Sequence, residues 1–180
     1  NESQQPISPD MHSKIQRLAR HYPVYFVTGN TYTKSVDILN GHIKEFMGIF
    51  INTSDELRTM RGKLVWKDTE TPPLPATLES TLRFLWDCSA RNCIEWRSPH
   101  FLNFSKVGRF ASIEERRAHN ASWRDDAAKY IKHRFPEVDV AIGGSVSLDI
   151  YSHGADKSRA AKYINDGGRN FIFIGDKTDI

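Results

Sequence analysis

The chain has 180 residues, 39% hydrophobic and 26% charged, a balance that suits one compact domain or a core with a smaller insertion. No apolar run is long enough to span a membrane, and the polar first ten residues lack the basic start of a signal peptide. The net charge of +3 is small, and the Lys and Arg residues are dispersed, which argues against nucleic-acid binding. We therefore expect a cytoplasmic protein.

The first part of the chain alternates helices with strands. Ser8 and Pro9 are typical of a helix start, as cap and first-turn residue. The apolar run over 24–27 indicates a buried parallel strand. A second helix over 32–39 and a second strand over 48–51 follow. This order predicts a doubly wound parallel sheet, which binds ligands beyond the carboxyl ends of its strands.

The middle of the chain has a different pattern, set off by the proline-rich break over 72–75. A helix is predicted over 76–88. A long polar helix is predicted from a capping box at Ser112 to about Phe135. Strands are predicted over 94–96, 101–104, 138–142 and 146–151. Helices and strands in this order form a small α+β unit.

The two patterns predict two domains, the first of them discontinuous. The parallel pattern resumes at the apolar run over 171–174, which indicates a strand. We predict an α/β fold with a doubly wound parallel-sheet core over 1–71 and 154–180 and an inserted α+β cap domain over 72–153. The apolar hairpin over 62–66 is a candidate surface for forming a homodimer.

Cys88 and Cys93 are the two cysteines, and their spacing, without a second Cys or His pair in register, is a poor zinc signal. A disulfide between them is an alternative that a chain of this length does not need. We expect reduced, partly buried thiols.

Three polar residues suggest a phosphate site at the carboxyl edge of the predicted parallel sheet. Asp176 follows the last strand, where a carboxylate suits Mg2+, although a plain turn is the alternative. Lys157 begins a helix, where its charge is unfavourable unless an anion binds, or else the side chain is simply solvated. Thr28, with free amides of Gly29 and Asn30, would form a phosphate cradle, or would cap the next helix.

The predicted cap carries a second set of candidate residues. Arg97, Arg109 and Arg116 lie close in sequence, and several guanidinium groups suit bidentate phosphate binding. Ser147 and Asp149 alternate along one strand, so both project from the same face and are suited to binding sugar hydroxyls. The alternative is that the arginines are solvated surface charges.

In sequence and order these residues resemble the eukaryotic-type phosphomannomutases, a family of the haloacid dehalogenase (HAD) superfamily. The resemblance covers nearly the whole chain and is most specific over 96–157. The stretches that carry it are 102–109, 112–116, 143–149, 156–157 and 173–178. The order of Thr28, Lys157 and Asp176 is similar to motifs two, three and four of the superfamily.

The resemblance implies that the five cap residues hold the distal phosphate and the sugar, and that Lys157 and Asp176 belong to the phosphoryl-transfer site. The chain departs from the family pattern in two places. The spacing from Arg97 to Arg109 is one residue longer, and a Thr-Gly-Asn-Thr turn beginning at Thr28 replaces the family's Gly-Gly-Ser turn.

The family's Asp-x-Asp-Gly-Thr motif, which supplies the nucleophile and the general acid/base, does not occur in these 180 residues. We expect it to lie before Asn1. The resemblance then implies an aspartyl-phosphate intermediate, with Mg2+ and Lys157 neutralising the phosphoryl charge and Thr28 orienting it. A hexose 1,6-bisphosphate activator is also implied.

Phosphomannomutase-like transfer on a hexose phosphate is therefore the predicted function, with a small phosphosugar as partner and neither nucleic acid nor membrane. The chief alternative is a HAD phosphatase that hydrolyses a sugar phosphate or a nucleotide. A non-catalytic phosphosugar-binding module is a further alternative, which the retained Lys157 and Asp176 disfavour.

Overall fold

The computed structural model describes residues 7–39, 42–86, 92–108, 111–119, 122–143, 145–168, 170–172 and 174. Its helices are α1 (Pro9–Ala19), α2 (Tyr32–Leu39), α3 (Leu78–Leu85), α4 (Ile113–Ala118), α5 (Trp123–Arg134) and α6 (Ser158–Asp166), with a 3-10 helix at His42–Glu45. Its strands are β1 (Tyr25–Val27), β2 (Gly48–Ile51), β3 (Glu56–Arg58), β4 (Leu64–Lys67), β5 (Ile94–Ser98), β6 (Phe101–Phe104), β7 (Val138–Gly143) and β8 (Ser147–Ser152). The predicted mixed α/β class is confirmed.

The first sheet has the strand order β1-β2-β3-β4. β1 and β2 are parallel, whereas β2–β3 and β3–β4 are antiparallel pairs. Every residue of β2 is buried, as expected for a strand covered on both faces. The cluster on the side of α1 and α2 contains Leu39, Phe46, Ile49 and Ile51. The cluster on the side of α6 contains Phe50, Leu57 and Ala160.

The predicted strand over 171–174 is not formed by its described residues. Phe171, Ile172 and Ile174 lie outside any strand, with 46%, 90% and 78% of their surface exposed. A strand must pair its backbone amides and carbonyls with a neighbour, and none of the strand pairs among the described residues includes this segment.

The second sheet is antiparallel throughout its described strands, in the order β5-β6-β8-β7. Its apolar face packs against α3 and α5. The central residues of this core are Leu78, Leu82, Leu102, Phe104, Ala127, Ile131, Leu148 and Ile150. The sheet follows the Pro72–Pro75 break in the chain, and α6 returns to the first sheet. The exact domain boundaries stay a prediction.

The single long helix predicted from Ser112 is wrong. α4 ends at Ala118, because the extended backbone of its C-cap residue His119 (φ −74°, ψ 123°) stops the helix, and α5 starts anew at Trp123. The Trp123 indole N–H donates to His119 Nε2 at 3.0 Å, which ties the two helix ends together. The capping box is confirmed, because Ser112 Oγ accepts from the Glu115 amide and Glu115 Oε2 accepts from the Ser112 amide.

The expectation of reduced cysteines is also wrong, because Cys93 is disulfide-bonded. Cys93 is buried and lies immediately before β5, where its carbonyl accepts from the Ser105 amide at 2.7 Å. Cys88 lies outside the described residues. Chain length bears on whether a disulfide is needed, but which side chains meet is decided by the fold.

Within the described ranges, no helix has both the length and the apolar character that crossing a membrane requires.

Candidate active site

Thr28 follows β1 and is 8% exposed. Its amide donates to the Phe50 carbonyl at 3.0 Å, and its carbonyl accepts from the Thr53 amide at 3.1 Å. Its Oγ accepts from the Asn30 amide at 3.1 Å. The expectation of a free Asn30 amide is therefore wrong. Because this hydrogen bond uses a lone pair of the hydroxyl, the hydroxyl proton is left as a donor.

The turn over 52–55 joins β2 to β3 and organises this edge of the sheet. Asn52, Thr53 and Ser54 have φ values of 50°, 59° and 68°, the left-handed region that few residues other than glycine adopt. Such strain persists only where neighbouring contacts hold it, and it concentrates at functional sites. Sequence reasoning missed this turn, although Asn, Thr, Ser and Asp in succession after an apolar strand were a usable turn signal.

Lys157 precedes α6, and its side chain is exposed. The Ser54 hydroxyl donates to the Lys157 carbonyl at 3.5 Å. Asp156 Oδ1 accepts from the Ser158 amide, the first amide of α6, at 2.7 Å. Thr28 and Lys157 thus both contact the 52–55 turn, through Thr53 and Ser54 respectively, and the fold brings these two predicted residues to one edge of the first sheet.

A buried charged cluster is formed by Asp55, the last residue of that turn, with Asp68 and Arg159. Arg159 Nη1 lies 2.5 Å from Asp68 Oδ2 and 3.4 Å from Asp55 Oδ1. Arg159 Nη2 donates to the Thr53 carbonyl at 3.2 Å. Asp68 lies 91 positions from Arg159 in the sequence, and Asp55 lies 104 positions away. No local sequence signal could therefore have identified the cluster.

The two carboxyls of the cluster have pKa values displaced in opposite directions. Burial alone would raise the pKa of Asp68, but hydrogen bonds from the Thr71 hydroxyl and the Arg159 guanidinium outweigh it and hold the pKa well below its usual range. Burial raises the pKa of Asp55, against the opposing charges of His100 and Arg159. For Asp55, burial outweighs the neighbouring charges, whereas Asp68 accepts hydrogen bonds from the Thr71 hydroxyl, the Arg159 guanidinium and the Glu70 amide that outweigh its burial.

Ser147 and Asp149 share one face of β8, as predicted, with the buried Leu148 on the other. Ser147 Oγ donates to the Gly143 carbonyl at 2.6 Å. Gly143 lies close to both side chains: a Cβ there would lie 2.8 Å from Asp149 Oδ2 and 3.1 Å from Ser147 Oγ. The position has room for glycine alone unless Asp149 moves.

A polar row crosses the same face of the second sheet. Glu95 is in register with Asn103, and Asn103 with Asp149. Asn103 Nδ2 donates to Asp149 Oδ1 at 2.7 Å, which orients the carboxylate. Sequence reasoning missed Glu95 and Asn103, although their alternation with the apolar residues of β5 and β6 was a usable signal.

Of the predicted cap arginines Arg109 and Arg116, the structure describes Arg116 alone. Arg116 Nε donates to the Ala111 carbonyl at 3.0 Å, and Nη2 to the Gly108 carbonyl at 3.5 Å. Arg116 thereby links Gly108 to Ala111. Arg109 lies outside the described residues, as does Asp176. The substrate and metal roles of these residues stay predictions.

Arg97 of β5 reaches the first sheet. Its Nη1 donates to the Gly29 carbonyl at 2.9 Å and lies 3.4 Å from Asn30 Oδ1. The guanidinium lies over the Phe101 ring, 5.5 Å from its centroid. Arg97 therefore connects the predicted cap to the turn that follows Thr28.

Among the described residues, no group of three or more His, Cys, Asp or Glu side chains is placed to hold a metal ion. The buried carboxylates Asp55 and Asp68 are engaged by Arg159. Asp176, the predicted Mg2+ ligand, lies outside the described residues, so the metal site stays an expectation.

Comparison with solved structures defines the class of fold. A phosphatase of the HAD superfamily from Bacteroides thetaiotaomicron matches with a TM-score of 0.58 and 10% identity, over 93% of this chain and 68% of its own. The sucrose-phosphatase from Synechocystis matches with a TM-score of 0.57 and 12% identity, over 91% of this chain and 66% of its own. The chain has the fold of the HAD superfamily.

Sequence comparison defines the family within that class. The model of the eukaryotic phosphomannomutase family matches residues 80–180. The phosphomannomutase of Dendrobium officinale is 34% identical over 96% of this chain and 74% of its own length. A probable phosphomannomutase of Caenorhabditis elegans is 25% identical over 98% of this chain and 77% of its own. The chain belongs to the eukaryotic phosphomannomutase family, as the sequence resemblance predicted.

Proposed function

We propose that this protein is a Mg2+-dependent, phosphomannomutase-like enzyme that transfers a phosphoryl group on a hexose phosphate. The observation that carries the proposal is the 52–55 turn, which contacts both Thr28 and Lys157 at one edge of the first sheet. Both contacts are made by backbone carbonyls, so they fix where the two residues lie along this edge. A hydroxyl and an ammonium group carried by residues at one edge suit the stabilisation of a transferring phosphoryl group, which is mostly electrostatic. Membership of the phosphomannomutase family supports the choice of substrate class.

In the proposed reaction, Thr28 donates its hydroxyl proton to a phosphoryl oxygen. The Lys157 ammonium neutralises negative charge on the same group, next to the amino end of α6. The intermediate is an aspartyl-phosphate on the family's Asp-x-Asp motif, which these 180 residues do not contain. Bound Mg2+, with Asp176 as a proposed ligand, would supply further charge neutralisation.

The polar face of the second sheet is the proposed sugar site. The Asp149 carboxylate, oriented by Asn103, accepts hydrogen bonds from sugar hydroxyls, and Ser147 lies one alternation away on the same face. Arg109 and Arg116 are proposed to hold the phosphate that is not reacting. A mutase needs a second phosphate-binding site of this kind, because each end of a bisphosphorylated sugar must face the nucleophile in turn.

The test uses the full-length protein with Mg2+, mannose 1-phosphate and catalytic hexose 1,6-bisphosphate, followed by phosphorus NMR. Conversion to the 6-phosphate without free phosphate is expected. Release of inorganic phosphate alone would instead establish the phosphatase alternative.

The matched variants are Lys157→Ala and Lys162→Ala, two exposed lysines at α6. Lys157→Ala is expected to lower kcat by about 100-fold, since it removes a preorganised charge from the transferring group. Lys162→Ala removes an ion pair with Glu70 and is expected to leave kcat unchanged. Equal activity in both variants would exclude Lys157 from the reaction.

A further inference from the structure

Arg97 occupies an irregular position in β5. Trp96 pairs with Leu102, and Ser98 pairs with Phe101, so β5 contains one more residue than β6 between these pairs. The extra residue is Arg97, which makes this a β-bulge. Bulges bend the strand and redirect a side chain, and they are frequent beside active sites. Here the redirected side chain leaves the second sheet and reaches the turn after β1.

The contacts of Arg97 form a chain to the Thr28 hydroxyl. Arg97 Nη1 donates to the Gly29 carbonyl at 2.9 Å and lies 3.4 Å from Asn30 Oδ1. The Asn30 amide in turn donates to Thr28 Oγ at 3.1 Å. Arg97 thus holds both residues of the turn that orients the hydroxyl.

The Arg97 guanidinium is largely buried at the contact between the two sheets. The Arg97 side chain is 13% exposed and lies against the Phe101 ring, with Glu95 Oε2 3.5 Å from Nη2. Burial lowers the pKa of Arg97, an effect that the charge of Asp149 opposes. Burying a cation is unfavourable unless hydrogen bonds compensate. The Gly29 and Asn30 acceptors compensate at Nη1, whereas the buried Nε has no hydrogen-bond partner among the described residues.

The end of the same hairpin contacts the other turn of the site. His100 Nε2 lies 3.6 Å from Asp55 Oδ1, while its Nδ1 lies 3.1 Å from the Pro72 carbonyl oxygen. Phe101 is 1% exposed and lies beside Gly29, where a Cβ would be 3.8 Å from its ring. The β5–β6 hairpin end therefore contacts both the turn after Thr28 and the 52–55 turn.

We propose that Arg97 is a positioning residue: from the β5 bulge it fixes the Gly29–Asn30 turn, and through Asn30 the Thr28 hydroxyl, for the phosphoryl group. This differs from the substrate-holding role that the family resemblance implies. Its significance for catalysis rests on the proposed function, whereas the contact itself does not.

The test compares Arg97→Lys and Arg97→Ala with the control Arg83→Ala in the full-length protein. Arg83 lies on α3, where its side chain is 51% exposed and pairs with Glu79. Hydrogen exchange is measured on the peptide covering residues 25–32. The Arg97 variants are expected to exchange the Asn30 amide about tenfold faster, with the control unchanged, because the turn loses its side-chain contacts. The turn keeps the backbone hydrogen bond from the Asn52 amide to the Asn30 carbonyl at 3.0 Å. Unchanged exchange in both Arg97 variants would overturn the proposal.

Steady-state kinetics on the hexose phosphate provide the second readout. A positioning role predicts that kcat falls by about 10- to 100-fold in Arg97→Lys, with KM nearly constant. Lysine keeps the positive charge but lacks the planar guanidinium that contacts Gly29 and Asn30. A raised KM with unchanged kcat would show that Arg97 binds substrate and would overturn the proposal. If the wild-type protein does not turn over hexose phosphates, the proposed function fails, and the exchange result still decides the Arg97 contact.

Discussion

Thr28 has a hydroxyl whose orientation is set by one hydrogen bond. The Asn30 amide occupies an oxygen lone pair at 3.1 Å, so the proton of the hydroxyl points elsewhere. The side chain is nearly buried, which strengthens any charge-assisted hydrogen bond it makes with a phosphoryl oxygen. A glycine at this position would supply no such donor, so the hydroxyl is the distinctive feature of this chain's turn.

We expect Thr28→Val to lower kcat by about 10- to 100-fold, because it removes one donor from a preorganised site while keeping the shape of the side chain. Thr28→Ser keeps the hydroxyl and is expected to retain most of the activity. Stopped assays of hexose-phosphate turnover, with melting temperature as a check on folding, would measure both. An unchanged kcat in Thr28→Val would contradict the assigned role of the hydroxyl, and a large loss in Thr28→Ser would show that the methyl group is needed as well.

At the scale of elements, β7 and β8 show how a strand pair presents a polar site above an apolar core. Leu148 and Ile150 point into the core with α3 and α5, and the intervening Asp149 is left on the opposite face. Gly143, opposite Ser147 in the ladder, leaves the space that the Asp149 carboxylate occupies. The site is therefore a property of the strand pair rather than of β8 alone.

We expect Gly143→Ala to weaken binding of the hexose phosphate by about tenfold, because the new Cβ would displace a carboxylate that must be positioned accurately. The displaced atoms are the end of a flexible side chain, so the melting temperature should change little. Isothermal titration calorimetry would measure the affinity of this variant, of Asp149→Ala and of the double variant. If both act through Asp149, the double variant binds no worse than Asp149→Ala, whereas additive losses would contradict this.

At the scale of the whole molecule, the two sheets meet through buried charged and polar contacts. Arg159 joins α6 to both ends of the β3–β4 hairpin through Asp55 and Asp68. His100 approaches Asp55 from the second sheet. Removing one member of a buried charged set leaves its neighbours uncompensated, so we expect the junction to be sensitive to single substitutions.

We expect Asp68→Asn to reduce the free energy of unfolding at pH 7 by about 2 to 4 kcal/mol, because Arg159 loses its closest counter-charge. The lowered pKa of Asp68 means that its contribution is present above the usual carboxyl pKa and is lost as the pH falls below it. Asp55 changes the stability in the opposite direction: because its pKa is raised in the folded protein, its effect is to increase stability as the pH falls. Urea denaturation between pH 7 and pH 3 should therefore show a flatter acid dependence in Asp68→Asn than in the wild type.

The control for this prediction is Glu70→Gln, whose parent carboxylate is 82% exposed and pairs with Lys162. An exposed pair contributes little, so this variant is expected to match the wild type within about 0.5 kcal/mol. An Asp68→Asn protein as stable as the control at pH 7 would contradict the assigned role of the cluster.

Local chemistry made several elements predictable. The Ser8 cap, the Ser112 capping box, α2 and β2 all appear where the sequence indicates, since each depends on neighbours within a few residues. The single helix after Ser112 failed because residues near His119 carry no proline or glycine to mark a break. The strand over 171–174 failed because apolar residues form a strand only beside a partner.

The sequence by itself determined the family, the α/β class and the types of residue available for phosphate and sugar binding, because motifs and periodic patterns are local. It also predicted that Ser147 and Asp149 share a face, which follows from strand geometry alone. Only the tertiary structure decided what those residues contact. Arg97 and Gly29 are 68 positions apart, and their contact exists because a bulge in one sheet points a guanidinium at a turn of the other. Such contacts depend on how two sheets pack, and that arrangement is set by the sum of many burial and hydrogen-bond terms rather than by any one segment.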